Sequence, residues 1–203
     1  MQITKTLGLA LGLAALAVSP AIAADTYNFD GVHSVLGFQV VHMGIFKASG
    51  TFDKFVGSVN YDSKDVTKST VDVTVDVSSV NTRTEMRDKH LRSADFFDVE
   101  KFPSATFKST KVEAGKDGRL KVTGDFTLRG VTKSIVLDSA VTGAAQDDYG
   151  NERLGFEGHT TISRKDFGVA WNNKTKTGTT IVADSVDINI NGEGIKAKAE
   201  AKK

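Results

Sequence analysis

The four histidines, His33, His42, His90 and His159, are the side chains best suited to acid–base or metal chemistry at neutral pH. Their spacing organises neither. No two stand at the close helical spacing of a zinc motif, and none are alternate neighbours on one strand face. His42 continues the apolar series Leu36, Phe38, Val40, which predicts an interior, hydrogen-bonded histidine. The chain has no cysteine, which removes thiol catalysis, thiolate ligands and disulfides together. It also has no Gly-x-Ser-x-Gly elbow and no phosphate-cradling loop ahead of a helix, and Asp147-Asp148 fall among turn residues. The expectation is no catalytic residue, no metal and no resident cofactor.

Two other groupings bear on binding. Arg83, Arg87, Asp88, His90 and Arg92 lie close together in one segment. Arginines there match a phosphate or other polar headgroup through paired donors, and Arg87, His90 and Arg92 are the candidates; the same residues also suit ion pairing within a loop. The second grouping is apolar. All 12 phenylalanines lie after the leader described below, several at alternating positions. They suit ordinary core packing, and they equally suit the wall of an apolar tunnel. The tunnel candidates are Phe38, Val40, His42, Val73, Val75 and Phe107, together with Phe126, Leu128, Ile135, Phe156 and Ile162.

The elements that must position these residues are strands. Val71, Val73, Val75 and Val77 alternate with Asp72, Thr74 and Asp76, the pattern of a strand with one buried face. Leu120, Val122, Gly124, Phe126 and Leu128 repeat it after the turn pair Asp117-Gly118, and Arg129-Gly130 leads into Val131, Lys133, Ile135 and Leu137. Weaker alternation marks Leu36 to His42, Phe55 to Tyr61, Ala105 to Ser109, Leu154 to Ile162 and Val186 to Ile190, which makes eight strands in all. The segment from Thr82 to Phe97 departs from this period and suits a short helix in a long connection.

Glycines share a face with large aromatics, as with Gly124 and Phe126 or Gly158 and Phe156, which suits strands bending round a closed sheet. An all-β, eight-stranded antiparallel barrel is the favoured architecture, with a two-sheet sandwich as the alternative.

The first 23 residues read as a cleaved secretory signal. Lys5 precedes an apolar run from Leu7 to Val18, and Ser19-Pro20-Ala21-Ile22-Ala23 ends in a small-residue cleavage site. The run is too short for a bilayer span, so the expected product is free of a stable membrane anchor. Residues 24–191 are then expected to form one binding domain, and 192–203 a charged, fraying tail. The whole chain carries a net charge of +1, and no nucleic acid or other polyanion is implied as a partner.

In order along the chain, several motifs are recognisable. Asp30-Gly31-Val32-His33-Ser34 is followed by Gly50-Thr51-Phe52, then Arg87-Asp88-Lys89-His90-Leu91 and Asp95-Phe96-Phe97-Asp98. Val122-Thr123-Gly124-Asp125-Phe126-Thr127-Leu128-Arg129-Gly130 and Arg164-Lys165-Asp166-Phe167-Gly168 complete the series. Together they resemble the YceI-like family of periplasmic polyisoprenoid-binding proteins. The resemblance implies a lipocalin-like barrel around an isoprenoid or similar long-chain lipid, held in the periplasm, with a homodimer as a possible assembly. Two rival functions stay open: a lipid-modifying enzyme using His42 or His90, and a stress-related protein whose barrel is filled by its own side chains.

Overall fold

Alternation along the chain becomes a single antiparallel sheet that closes on itself. The computed structural model describes residues 24–198, so the leader read at residues 1–23 lies outside the described residues, as do 199–203. Eleven strand segments are present: β1 (Asp25–Phe29), β2 (Val35–His42), β3 (Phe46–Phe52), β4 (Phe55–Tyr61), β5 (Thr70–Asp76), β6 (Val80–Asn81), β7 (Ser104–Ala114), β8 (Arg119–Leu128), β9 (Val131–Gln146), β10 (Glu152–Ser163) and β11 (Val182–Lys196). They make eight staves, because the first three staves are each broken once.

The register shows this directly. Leu36 of β2 faces Phe52 of β3, and the same hairpin continues as β1 on β4, with Asn28 opposite Ser58. β4 then pairs with β5, and β3 with the short β6. The interruptions at 30–34, at Asp53-Lys54 and in the 3-10 turn Val77–Ser79 therefore lie side by side and bend the wall at one level. Hydrogen bonds cross the bend: Asp53 N donates to Ser79 O at 3.2 Å, and Asp76 N to Lys54 O at 2.9 Å. β11 closes the ring by pairing with β10 on one side and with both halves of the first stave on the other.

Turn chemistry fixes the hairpins. Arg129 (φ 50°) and Gly130 (φ 73°) both occupy the left-handed region, which matches a two-residue turn to the twist of β8 and β9. Antiparallel order then assigns the loops to two ends. The β2–β3 turn, the long β6–β7 connection, the β8–β9 turn and residues 164–181 share one end. The β6–β7 connection contains the one α-helix among the described residues, α1 (Glu85–Arg92), with acidic residues in its first turn and basic ones in its last, as the helix dipole favours. No helix among the described residues is long and apolar enough to cross a membrane.

The C-terminal boundary differs from expectation. β11 continues to Lys196 instead of giving way to a tail at Gly192, so the barrel takes in residues 192–196. The reason is the spacing of Gly192 and Gly194. Both are buried, and a Cβ on either would meet Ser34 Oγ at 2.5 Å or Tyr27 Cβ at 2.8 Å. What reads as a loose glycine segment is a strand made thin so that the first stave can close on it.

Charge fastens the same seam. Arg153 on β10 donates to Asp30 at 2.8 Å, to Asp147 at 2.9 Å and to Glu193 at 3.0 Å, joining three segments of the ring. Hydrogen bonds from His33 and Arg153 hold the Asp30 carboxyl well below the usual carboxylate range. Those from Asn151, reinforced by Arg153, bring Asp147 down to about 2.

Two predictions follow from the wall and its seam. Gly124 is buried beneath the Phe107 ring, and a Cβ there would stand 2.6 Å from Lys108 O, a backbone atom that cannot swing away. Gly124→Ala should cost about 1–3 kcal/mol in urea unfolding, whereas Gly143→Ala, which meets nothing within 4 Å, should cost far less. For the seam, lowered carboxylate values mean stability that is full above the ordinary value of 3.8 and lost as pH falls toward about 2. Arg153→Gln should therefore lower the urea midpoint at pH 7, and the two proteins should converge in strong acid.

Candidate functional site

Inside the closed wall the side chains do not fill the space. A cavity of about 240 Å³ runs through the barrel, lined almost wholly by carbon. Strand parity sets its wall: Leu36, Phe38 and Val40 from β2 stand opposite Ile190, Ile188 and Val186 of β11 respectively, while β8 and β9 contribute Phe126, Leu128, Ile135 and Leu137.

Val73, Val75, Ala105 and Leu128 are buried where β5, β7 and β8 pack against Phe96, Phe167 and Val169 from the loops. Phe38, Val40, Val186, Ile188 and Ile190 also point inward, yet each remains partly accessible, because it faces space.

Aromatic rings shape this space. Phe38 and Phe52 lie 5.6 Å apart, Phe52 reaches Phe97 at 5.8 Å, and Phe29 packs on Phe156 at 4.7 Å. The Phe38 ring lies over Gly50, where any Cβ would come within 2.4 Å of it, so the glycine is what lets the ring fold flat against the wall. The same device places Phe107 over Gly124, the partner that β7–β8 pairing brings close on the neighbouring stave.

Of the residues expected to line a tunnel, Phe38, Val40, Val73, Val75 and Phe107 do so, as do Phe126, Leu128, Ile135, Phe156 and Ile162. His42 does not. It ends β2 between Phe46 and Val182 and is exposed. The parity that carries Val40 inward is correct, but the regular pairing with β11 is interrupted between Val186 and Val182, just where His42 would continue the series.

Several lining residues were within reach of the same parity, notably Leu120, Val122, Leu137, Ile188 and Ile190. Leu91, Phe96, Phe97 and Val169 come from irregular segments where no period marks them.

The three headgroup candidates are placed elsewhere. Arg87 donates from Nε to Thr82 Oγ1 and from Nη2 to Thr82 O, both at 2.7 Å. Arg92 donates to Ser78 O at 2.7 Å and to Val80 O at 2.9 Å. Both guanidinium groups are thus spent holding α1 to the rim, where buried Asp88 also accepts the Thr82 N–H. His90 bonds Asp95 at 2.9 Å and stands edge-on to Trp171 at 5.2 Å and to Phe96 at 5.0 Å. None of the three lines the cavity. Sequence proximity to a loop suggested a headgroup clamp; the bonds made are to Thr82 ahead of α1 and to the carbonyls of Ser78 and Val80 on the neighbouring stave.

One cation does reach the cavity wall. Arg164 is 5 % exposed and donates to the carbonyls of Val169, Trp171 and Ala183, at 2.7, 2.8 and 2.9 Å. Burial pushes its guanidinium below the ordinary value, and Asp184 at 3.3 Å opposes that. Its donors are engaged, so it closes the loop over the barrel end rather than presenting a charge to the interior.

Outside the barrel, Asp30, His33 and Glu193 bring ligand atoms within 4.8 Å of one another. The cation there is the Arg153 guanidinium, which contacts both carboxylates.

If the helix-end arginines are structural, Arg87→Met and Arg92→Met should each lower stability by about 1–3 kcal/mol, the scale of lost charged hydrogen bonds. Titration with a fluorescent long-chain probe should then give affinities within about twofold of the parent, well under the tenfold that 1.4 kcal/mol represents.

Residues 27–194 match the model of the YceI-like domain. A UPF0312 protein of Vibrio cholerae is 46 % identical over 169 residues, covering 81 % of this chain and 88 % of its own. Among solved structures, Burkholderia cenocepacia BcnA superposes with a TM-score of 0.70 at 25 % identity, over 84 % of this chain and 99 % of its own. A polyisoprenoid binding domain from Saccharophagus degradans, implicated in plant cell wall breakdown, shares the fold with a TM-score of 0.62 at 16 % identity, covering 84 % and 98 %.

Proposed function

The chain belongs to the YceI-like family, and from that premise we propose that it binds a polyisoprenoid or other long-chain amphiphile inside the barrel and carries it in the periplasm. The observation that carries this reading is the cavity: a space walled by aliphatic and aromatic side chains, in which the two charged lining residues, Arg164 and Glu157, are both engaged by partners. Such a wall selects girth and apolar character, and the polyisoprenoid-binding relative in fold makes an isoprenoid chain the first candidate. Export through the leader at residues 1–23 accounts for the periplasmic setting.

The magnitudes are sufficient without any charged contact. Each buried methylene contributes about 0.8 kcal/mol, so about ten carbons give roughly 8 kcal/mol. Ordering the chain and losing its freedom offset several kcal/mol of this. Micromolar binding needs about 8 kcal/mol net, so a chain somewhat longer than ten carbons reaches it.

A binding role is favoured over a lipid-modifying enzyme by the position of the two histidines that such chemistry would use. His42 is exposed and does not line the cavity, and neither does His90, which is engaged by Asp95 and stands edge-on to Phe96 and Trp171.

Native mass spectrometry of the protein from its own envelope is expected to show a bound mass that organic extraction releases unchanged. Ile190→Trp, which fills the hollow from β11, should weaken uptake of a fluorescent prenyl probe by about tenfold or more, the equivalent of a lost pair of methylenes. A barrel that neither retains nor takes up any long-chain molecule overturns the reading, and so does conversion of the bound lipid to a product.

A further inference from the structure

The β2–β3 turn carries apolar side chains that the barrel does not use. Met43 (φ 52°) and Gly44 (φ 75°) turn the chain, and the next two residues, Ile45 and Phe46, are 85 % and 60 % exposed. Two large adjacent hydrophobes in water are an unusual use of a hairpin tip, where polar turn residues ordinarily suffice.

The tip is continuous with the cavity. Val40 lines the hollow, His42 two residues later pairs with Val182, which also lines it, and Met43 N donates to Ile181 O at 2.9 Å. The neighbouring loop is thereby fixed beside the tip, its own ends drawn together by the Lys174–Thr180 bridge.

Charge on these two segments has one sign. Residues 42–52 and 167–183 contain no aspartate or glutamate, while Lys47, Lys174 and Lys176 are all exposed. An apolar tip flanked by lysines without carboxylates is the chemistry of a surface that inserts into an anionic lipid interface.

We propose that the β2–β3 tip and the 172–181 loop form a docking surface for a lipid bilayer bearing anionic headgroups, and that docking sets the helix end of the cavity against the membrane. Ile45 and Phe46 enter the boundary between headgroups and acyl chains, and Lys47, Lys174 and Lys176 meet the phosphates. The site rests on the lipid-binding reading of the cavity, because a carrier must take up and deliver its chain at a membrane. A barrel with a filled core has no such need.

The test is sedimentation of the full-length mature protein with phosphatidylcholine vesicles, with and without phosphatidylglycerol. The parent should sediment with the anionic vesicles and far less with the neutral ones. Ile45→Ser with Phe46→Ser should weaken that partitioning by about tenfold, as should Lys47→Glu with Lys174→Glu and Lys176→Glu. Both variants should keep the parent's affinity for the soluble prenyl probe, which reads the cavity alone. Because the chain has no cysteine, Ile45→Cys labelled with an environment-sensitive dye gives a second readout, a blue shift on adding anionic vesicles.

A parent that stays in the supernatant overturns the proposal even where the prenyl probe binds, which separates its failure from that of the cavity reading. Equal sedimentation of parent and serine variant overturns it as well. So does a dimer in solution that the serine variant abolishes, since the tip then serves a second copy of the chain.

Discussion

Closure of the sheet is the constraint on which the rest depends. With β11 bonded to β10 on one side and to both halves of the first stave on the other, the wall has no free edge through the barrel body. Backbone donors and acceptors are satisfied along the ladders, so the wall holds itself without a filled interior. A sandwich of the same strands would need its two inner faces in contact. Only the ring can leave room for something else, and the buried cluster of Val73, Val75, Val77, Ala105, Leu128, Phe96, Phe167 and Val169 supplies apolar burial beside the cavity.

Closing so tight a ring requires the wall to be thin in places and bent in others. The aligned breaks in the first three staves do the bending, and buried glycines do the thinning. Gly50 and Gly124 give way to phenyl rings that would otherwise project across the cavity, and Gly192 and Gly194 let the first and last staves approach. Both devices act on backbone, yet their product is the shape of an empty space. The Arg153 network and the Arg164 clasp then fix the two regions where the chain is irregular.

The stretches whose alternation is strongest, Val71 to Asp76 and Leu120 to Leu128, were legible as strands with their inward face, because period two is a direct image of the pleat. That single signal recovered ten lining residues, from Phe38 through Ile162. It misled at His42, since parity states which way a side chain points but not where the pairing beside it is interrupted. It was silent on Phe96, Phe97 and Val169, which enter from segments with no period. Arg87 and Arg92 were legible as a charge cluster but not as a fastening, because the carbonyls of Ser78, Val80 and Thr82 that they bind carry no mark in a sequence. The glycines from 192 onward resembled a tail for a related reason: close backbone approach and loose chain look alike in composition.

The hollow has a mechanical consequence. Space that the folded chain encloses disappears when the chain unfolds, and the volume change of unfolding becomes more negative as internal void grows. A barrel that encloses a cavity of about 240 Å³ is therefore softer toward hydrostatic pressure than a solid domain of equal thermal stability. A chain occupying that space removes the softness, so the occupant acts as part of the protein's compressive frame.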